Sequence, residues 1–239
     1  MRQQRLGLNI PRQFNYGDWV RHPGVERAVS RLALWLVEGG RLWLRSSDVA
    51  GKTHLLHALQ QEHPRLGVVQ VGDAGGMSSL QQVEQWVRQL EGKAFWAADV
   101  QAGPLAQASA LALFHLLERA RDRNRPILVA WRCETTELTL PELRSRLHAM
   151  EHVDMSAPDR DTDLLAVLNS VASTMQWQIP EGALEALTRF LPRELEVLLQ
   201  ALRILDEQHA VGSRKRVTRT WVLEQLEQTG LVRASGVAA

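Results

Sequence analysis

The chain has 239 residues, 45% of them apolar, and a formal net charge of +1. That is enough apolar material for one α/β domain with an appendage or for two small domains, and the near-neutral balance excludes a global basic field of the kind that draws in nucleic acid. The single cysteine, Cys133, excludes an intrachain disulfide; no apolar run is long enough to span a bilayer, and Met1–Gln13 lacks the apolar centre of a secretion signal, so the expected location is cytoplasmic.

Residues 1–24 carry Pro11, Gly17, Pro23 and Gly24 and hold no period, which reads as an arm. Apolar residues at Val25, Ala28, Val29, Leu32 and Leu36 predict a helix that stops at Gly39-Gly40. Short β-type runs then alternate with helical ones. Strands are expected at Leu42–Leu44, Val68–Val71, Phe95–Ala98 and Ile127–Ala130, with a fifth opening near Val153. Helices are expected at Thr53–Gln61, Leu80–Leu90, Ala106–Arg121 and Leu140–Leu147. Such alternation predicts a parallel sheet covered on both faces. After Pro158 the strands cease. Helices are expected at Asp161–Met175, capped by Asp161 or Thr162, then from Pro180 to Leu191, from Pro192 to about His209, and from Val217-Thr218 to Glu227. The domains expected are thus an arm (1–24), an α/β base (25–157), a helical lid (158–231) and a loose tail (232–239).

The sharpest motif is Ser46-Ser47-Asp48-Val49-Ala50-Gly51-Lys52-Thr53, which follows a predicted strand and opens a predicted helix. A phosphate loop needs that setting, because backbone N–H groups at the helix start curl around phosphate oxygens while a lysine reaches the outer phosphates and a hydroxyl meets Mg²⁺. Ser46, Ala50, Gly51, Lys52 and Thr53 are the candidate nucleotide-binding residues. Ser46 stands where the first glycine belongs and Val49 where a third is common, so strain is expected in the cradle. A chance Gly-Lys-Thr at a helix start is the competing reading.

The run Gly51-Lys52-Thr53-His54-Leu55-Leu56-His57-Ala58 resembles the phosphate-loop helix of the DnaA-related AAA+ proteins. The likeness extends to Ile10-Pro11, Gln13-Phe14 and His22-Pro23-Gly24, to Leu140-Pro141-Glu142-Leu143-Arg144-Ser145-Arg146-Leu147, to Ile179-Pro180-Glu181 and to Arg193-Glu194-Leu195. It covers nearly the whole chain and is most similar to the small Hda-like branch, since no helix-turn-helix domain follows the lid. The resemblance implies a P-loop AAA+ module, with a five-stranded parallel sheet flanked by helices and followed by an all-helical lid. It also implies ADP or ATP with Mg²⁺, or no nucleotide at all. Its expected partners are the DnaA initiator and the DNA sliding clamp, without direct sequence reading on DNA and with self-association through AAA+ surfaces as a further expectation.

The same resemblance exposes worn parts. A hydrolysing AAA+ site needs a strand ending in two acids, and here the third strand ends Ala98-Asp99-Val100-Gln101. Either Asp99 is the magnesium acid, shared with Thr53, and Val100 replaces the base, or Ala98 replaces the magnesium acid; a turn-capping role for Asp99 is the bland alternative. Ala130 and Trp131 stand where a polar sensor belongs. Intrinsic hydrolysis is therefore expected to be slow or absent. By the resemblance, Arg146 is the arginine finger acting on a partner's nucleotide (Arg144 if the alignment slips), against a surface pairing with Glu142. Arg193 is the lid arginine that senses phosphate, against a pairing with Glu196. Gln3, Leu6 and Leu8 form the clamp-binding peptide, against an idle arm. His54 and His57 lack a third metal ligand, and the tryptophans read as core. Three functions compete: a regulatory adaptor that completes an initiator's ATPase site, a stand-alone nucleotide switch assisting the loading of another replication or repair protein, and a nucleotide-free interaction module.

Overall fold

A computed structural model describes residues 19–133, 138–175, 179–211 and 217–229, the side chains of 209–211 excepted. Gln3, Leu6 and Leu8 lie outside the described residues.

Helix α1 (Pro23–Glu38) starts with proline in its first turn, the position that tolerates a missing N–H, and ends at Gly39 with φ 77°. It is followed by β1 (Arg41–Arg45), α2 (Lys52–Glu62), β2 (Leu66–Val71), α3 (Ser79–Gln89), β3 (Phe95–Val100), α4 (Gln107–Asp122), β4 (Ile127–Trp131), α5 (Pro141–His148) and β5 (Glu151–Asp154). The strands form one parallel sheet in the order β2-β3-β4-β1-β5.

Alternation along the strands explains the two covering layers. In β1 and β4, Trp43, Ile127, Val129 and Trp131 face one way and join the core built with α3, α4 and α5. Their neighbours Leu42, Leu44, Leu128 and Ala130 face the other way, against α1 and α2. A strand buried on both faces reads as continuous apolar sequence, as Ile127–Trp131 does. Trp35, Trp43, Trp86, Trp96 and Trp131 are all core, as expected.

Beyond Asp159 come α6 (Asp161–Thr174), α7 (Glu181–Phe190), α8 (Leu195–Val211) and α9 (Arg219–Gln228). They share a separate apolar cluster centred on Leu168, Leu187, Leu198 and Leu202. Three local expectations shift. The N-cap of α6 is Arg160, with no side-chain cap, rather than Asp161 or Thr162. Pro180 caps α7 instead of occupying its first turn. Helix α8 starts at Leu195, so Arg193 precedes it. Among the described residues no helix is long and apolar enough to cross a membrane.

Leu113 of α4 is fully buried against the sheet. Leu113→Ala is expected to cost about 2–5 kcal/mol of unfolding free energy in urea titrations, and a loss below about 1 kcal/mol would contradict this packing.

Candidate nucleotide site

The carboxyl ends of β1, β3 and β4 open into a cleft of about 630 Å³, within the range of small-molecule sites. Its floor is the loop from β1 to α2. Its roof is lid helix, with Val167 and Val171 from α6 and Leu195, Leu199 and Arg203 from α8. The roof end is largely apolar and the floor end polar, which suits a ligand with a flat organic part and a charged part.

Gly51 is the N-cap of α2 and takes φ 75°, a left-handed conformation that favours glycine. A Cβ there would also stand 3.0 Å from the Trp19 ring, which lies against the loop. No side chain caps α2. The N–H groups at its start therefore face the cleft with the positive end of the helix dipole behind them. The strain expected from Ser46 and Val49 is absent, because neither has positive φ. Ser46 Oγ donates to Asp48 O at 2.7 Å, and Val49 packs against the lid cluster. The loop keeps its curve by spending its one glycine where the left-handed turn falls.

Lys52 is 8% exposed and hydrogen-bonded to Ser46 Oγ. Burial, then the charge of Arg132, pull its pKa from 10.5 to about 8, only partly opposed by Asp99. Holding Lys52 charged in this setting costs roughly 3 kcal/mol relative to water.

Strand pleat fixes the side of the sheet on which Asp99 lies. On β3, Ala97 faces the α2 side, so Asp99, two residues on, does too, while Ala98 and Val100 face the opposite core. Thr53 Oγ1 donates to Asp99 Oδ1 at 3.1 Å, and Gln70 Nε2, from the neighbouring strand, donates to Oδ2 at 3.1 Å. Neither bond is a turn cap. Burial raises the Asp99 pKa, while the bonds from Thr53 and Gln70 act to lower it. A hydroxyl and a carboxylate at this spacing fit a Mg²⁺ ion that takes its other ligands from phosphate and water. Among the described residues no group of three His, Cys, Asp or Glu is placed to hold a metal ion. Val100, 6% exposed, fills the position beside Asp99 with an apolar side chain. The acid that would orient an attacking water has no counterpart there.

Ser46, Ala50, Gly51, Lys52, Thr53 and Asp99 thus come together, all but Ser46 on the cleft wall itself. Arg193 does not join them: its Nη2 lies 2.5 Å from Asp161 Oδ1 and donates to Asp159 O at 3.1 Å, so its partner is neither phosphate-facing nor Glu196. Arg146 also lies away from the cleft, on α5, with Nε donating to Glu118 Oε1 of α4 at 2.6 Å; Glu118, not Glu142, is its partner. Arg144 is exposed on the same helix.

Four cleft residues, Arg132, Arg203, His22 and Trp19, were given no site role by the sequence reading. Arg132 follows β4 directly and lines the cleft with Arg203. His22 is 4% exposed, its Nδ1 buried without a hydrogen-bond partner among the described residues, as is Nε1 of Trp19. Both rings line the cleft, and burial lowers the His22 pKa, partly opposed by Asp163.

The strand order, the loop-to-helix cradle and the C-terminal helices together make up an AAA+-type fold. Solved structures agree on that fold. Domain III of the replication initiation protein DnaA from Thermotoga maritima superposes with TM-score 0.66 at 18% identity, over 93% of this chain and 98% of that one. The RuvB Holliday junction branch migration motor of the same organism gives 0.63 at 16%, over 91% and 72%. AMPPCP-bound DnaA from Aquifex aeolicus gives 0.59 at 12%, over 91% and 69%. No protein-family model matches the sequence.

A buried, penalised cation makes a specific prediction. Lys52→Met should raise the stability of the ligand-free chain at pH 7 by about 1–3 kcal/mol. Between pH 8 and 10.5 the unfolded chain holds a proton on Lys52 that the folded chain has released, so the wild type gains stability as pH rises. Urea titrations across that window should show the two chains converging; a constant difference would contradict the burial penalty.

Proposed function

We propose that this chain is a nucleotide-binding AAA+ regulator that holds ATP or ADP with Mg²⁺ without turning ATP over efficiently, and that acts on an initiator-type AAA+ partner. The observation that carries this reading is the pairing of an intact holding apparatus with a missing hydrolytic one. Lys52, the uncapped start of α2 and the Thr53–Asp99 pair are in place, while buried Val100 stands where the catalytic acid is needed. Phosphoryl transfer is catalysed almost wholly by positioning and charge stabilisation, so losing the water-orienting group leaves binding far less impaired than chemistry.

The likeness in fold to a DnaA structure described as AMPPCP-bound supports an adenine nucleotide as the ligand. Lys52 would hold the phosphates, and Thr53 with Asp99 the metal; Trp19 and His22 would meet the base. The regulatory role rests on Arg146. It sits on α5, outside the chain's own cleft, where only another molecule's nucleotide could reach it; Glu118 holds it meanwhile by a bond within reach of exchange for phosphate. In this proposal the partner is the DnaA initiator, and Gln3, Leu6 and Leu8 tether the complex to the sliding clamp. A nucleotide-free interaction module is the second reading, favoured by the bond between Lys52 and Ser46, which satisfies the lysine from within.

The test is ATP turnover by the initiator, alone and with this chain and clamp present. Stimulation is expected with the wild type and should fall about a hundredfold or more with Arg146→Ala, while Arg144→Ala retains it and deletion of residues 1–9 removes only the clamp's contribution. Full stimulation by Arg146→Ala, or none by the wild type, would refute the regulatory role.

A further inference from the structure

The lid carries an exposed aromatic ring beside two unpaired cations. Phe190 is the last residue of α7 and is 37% exposed, whereas Leu184 and Leu187 of the same helix are buried in the lid core. The guanidinium carbons of Arg189 and Arg219 each stand 5.9 Å from the centre of its ring, one from the end of α7 and one from the start of α9. Both arginines are exposed, and neither has an ion-pair partner among the described residues. Even Glu185, one turn back on α7, does not pair with Arg189. At the start of α9, Thr218 Oγ1 accepts the N–H of Trp221 at 3.2 Å, which leaves the neighbouring N–H groups and the positive end of the helix dipole beside Arg219. The sequence between Gly212 and Arg219 includes Arg214, Lys215 and Arg216 and contains no acid. Arg189, Phe190 and Arg219 are not among the residues that line the nucleotide cleft.

We infer that Arg189, Phe190 and Arg219 form a docking surface for single-stranded nucleic acid, in which a base stacks on the Phe190 ring and the two guanidiniums take the flanking phosphates. The surface is separate from the nucleotide cleft and does not depend on what fills it. Two like charges gathered on one ring repel each other, and each gains only about 0.5–1 kcal/mol from the ring at an exposed site. An anion between them turns that repulsion into attraction, and planar guanidiniums fit phosphate oxygens in pairs. The aromatic ring decides among anionic partners. Every base has a face to stack, so an exposed ring flanked by arginines suits a single strand of any sequence. A duplex keeps its bases paired inside and offers the ring nothing. An acidic peptide or a lipid headgroup would meet the arginines but leave the ring without a partner. The formal net charge of +1 is no obstacle, since phosphate contacts act within about 8–10 Å at ordinary salt and the positive charge here is local.

The experiment is fluorescence anisotropy of a labelled oligodeoxythymidine strand titrated with the full chain, repeated with an abasic strand of the same length and over a range of salt. Competition by a duplex, by polyglutamate and by phosphatidylserine vesicles is measured alongside. The wild type should bind the thymidine strand more tightly than the abasic strand or the duplex. Phe190→Ala should weaken thymidine-strand binding about tenfold and leave the abasic strand unchanged, while Phe190→Trp keeps the wild-type affinity and so separates stacking from any loss of fold. Arg189→Ala and Arg219→Ala should each reduce the slope of log affinity against log salt by roughly 0.7, on both strands alike. A wild type that binds no single strand, or a Phe190→Ala variant that loses both strands equally or neither, would overturn the inference. So would vesicles or polyglutamate held more tightly than the thymidine strand, which would assign the surface to a lipid or an acidic protein instead.

Discussion

Everything at the site depends on one unfavourable fact: a lysine is buried at the head of α2 with too little negative charge around it. Lys52 loses most of its water, feels Arg132 as a second cation, and has only Asp99 and more distant groups in compensation. A fold that kept such a group for stability alone would do better with an apolar side chain of the same length. An anion delivered to the open start of α2 relieves the penalty at once, because helix dipole, backbone N–H groups and both cations then point at the same charge. In the proposed reading, the energetic cost of the buried lysine and the cradle's affinity for phosphate are two sides of one arrangement.

The same geometry separates holding from hydrolysis. Strand pleat directs Asp99 toward Thr53 and α2, and directs Ala98 and Val100 into the core beneath α4. An acid at Val100's place would be set by the backbone to reach the strand tip; valine there packs as core. In the proposed reading, a missing catalytic acid leaves the sheet unchanged and shows only in the residue at position 100.

Much of this was legible in the sequence. Element types follow from periodicity, and boundaries such as those of α1, α4 and β4 fall within two residues of expectation, because Gly39, Pro126 and the apolar alternation fix them locally. The phosphate loop was legible because its chemistry demands neighbouring residues. What sequence could not supply was contact across distance. Arg193 was expected on phosphate but binds Asp161, and Arg146 was weighed against Glu142 but meets Glu118, partners brought near only by helix packing. Arg132 was overlooked because a polar side chain was sought at Ala130 and Trp131, within the buried end of β4. Trp19 and His22 sat in a stretch without period, where no local pattern announces that a ring will close a cleft. The loop's lost glycines were read as strain; the backbone avoids it by reserving positive φ for Gly51.

The central claim is that the cleft holds a nucleotide it does not consume. Its most direct test is to incubate the purified chain with MgATP, separate bound from free nucleotide, and identify what is bound over many minutes. The account predicts intact ATP in a stoichiometric complex that Lys52→Ala abolishes. Steady release of phosphate by the chain alone, or no retained nucleotide, would contradict it.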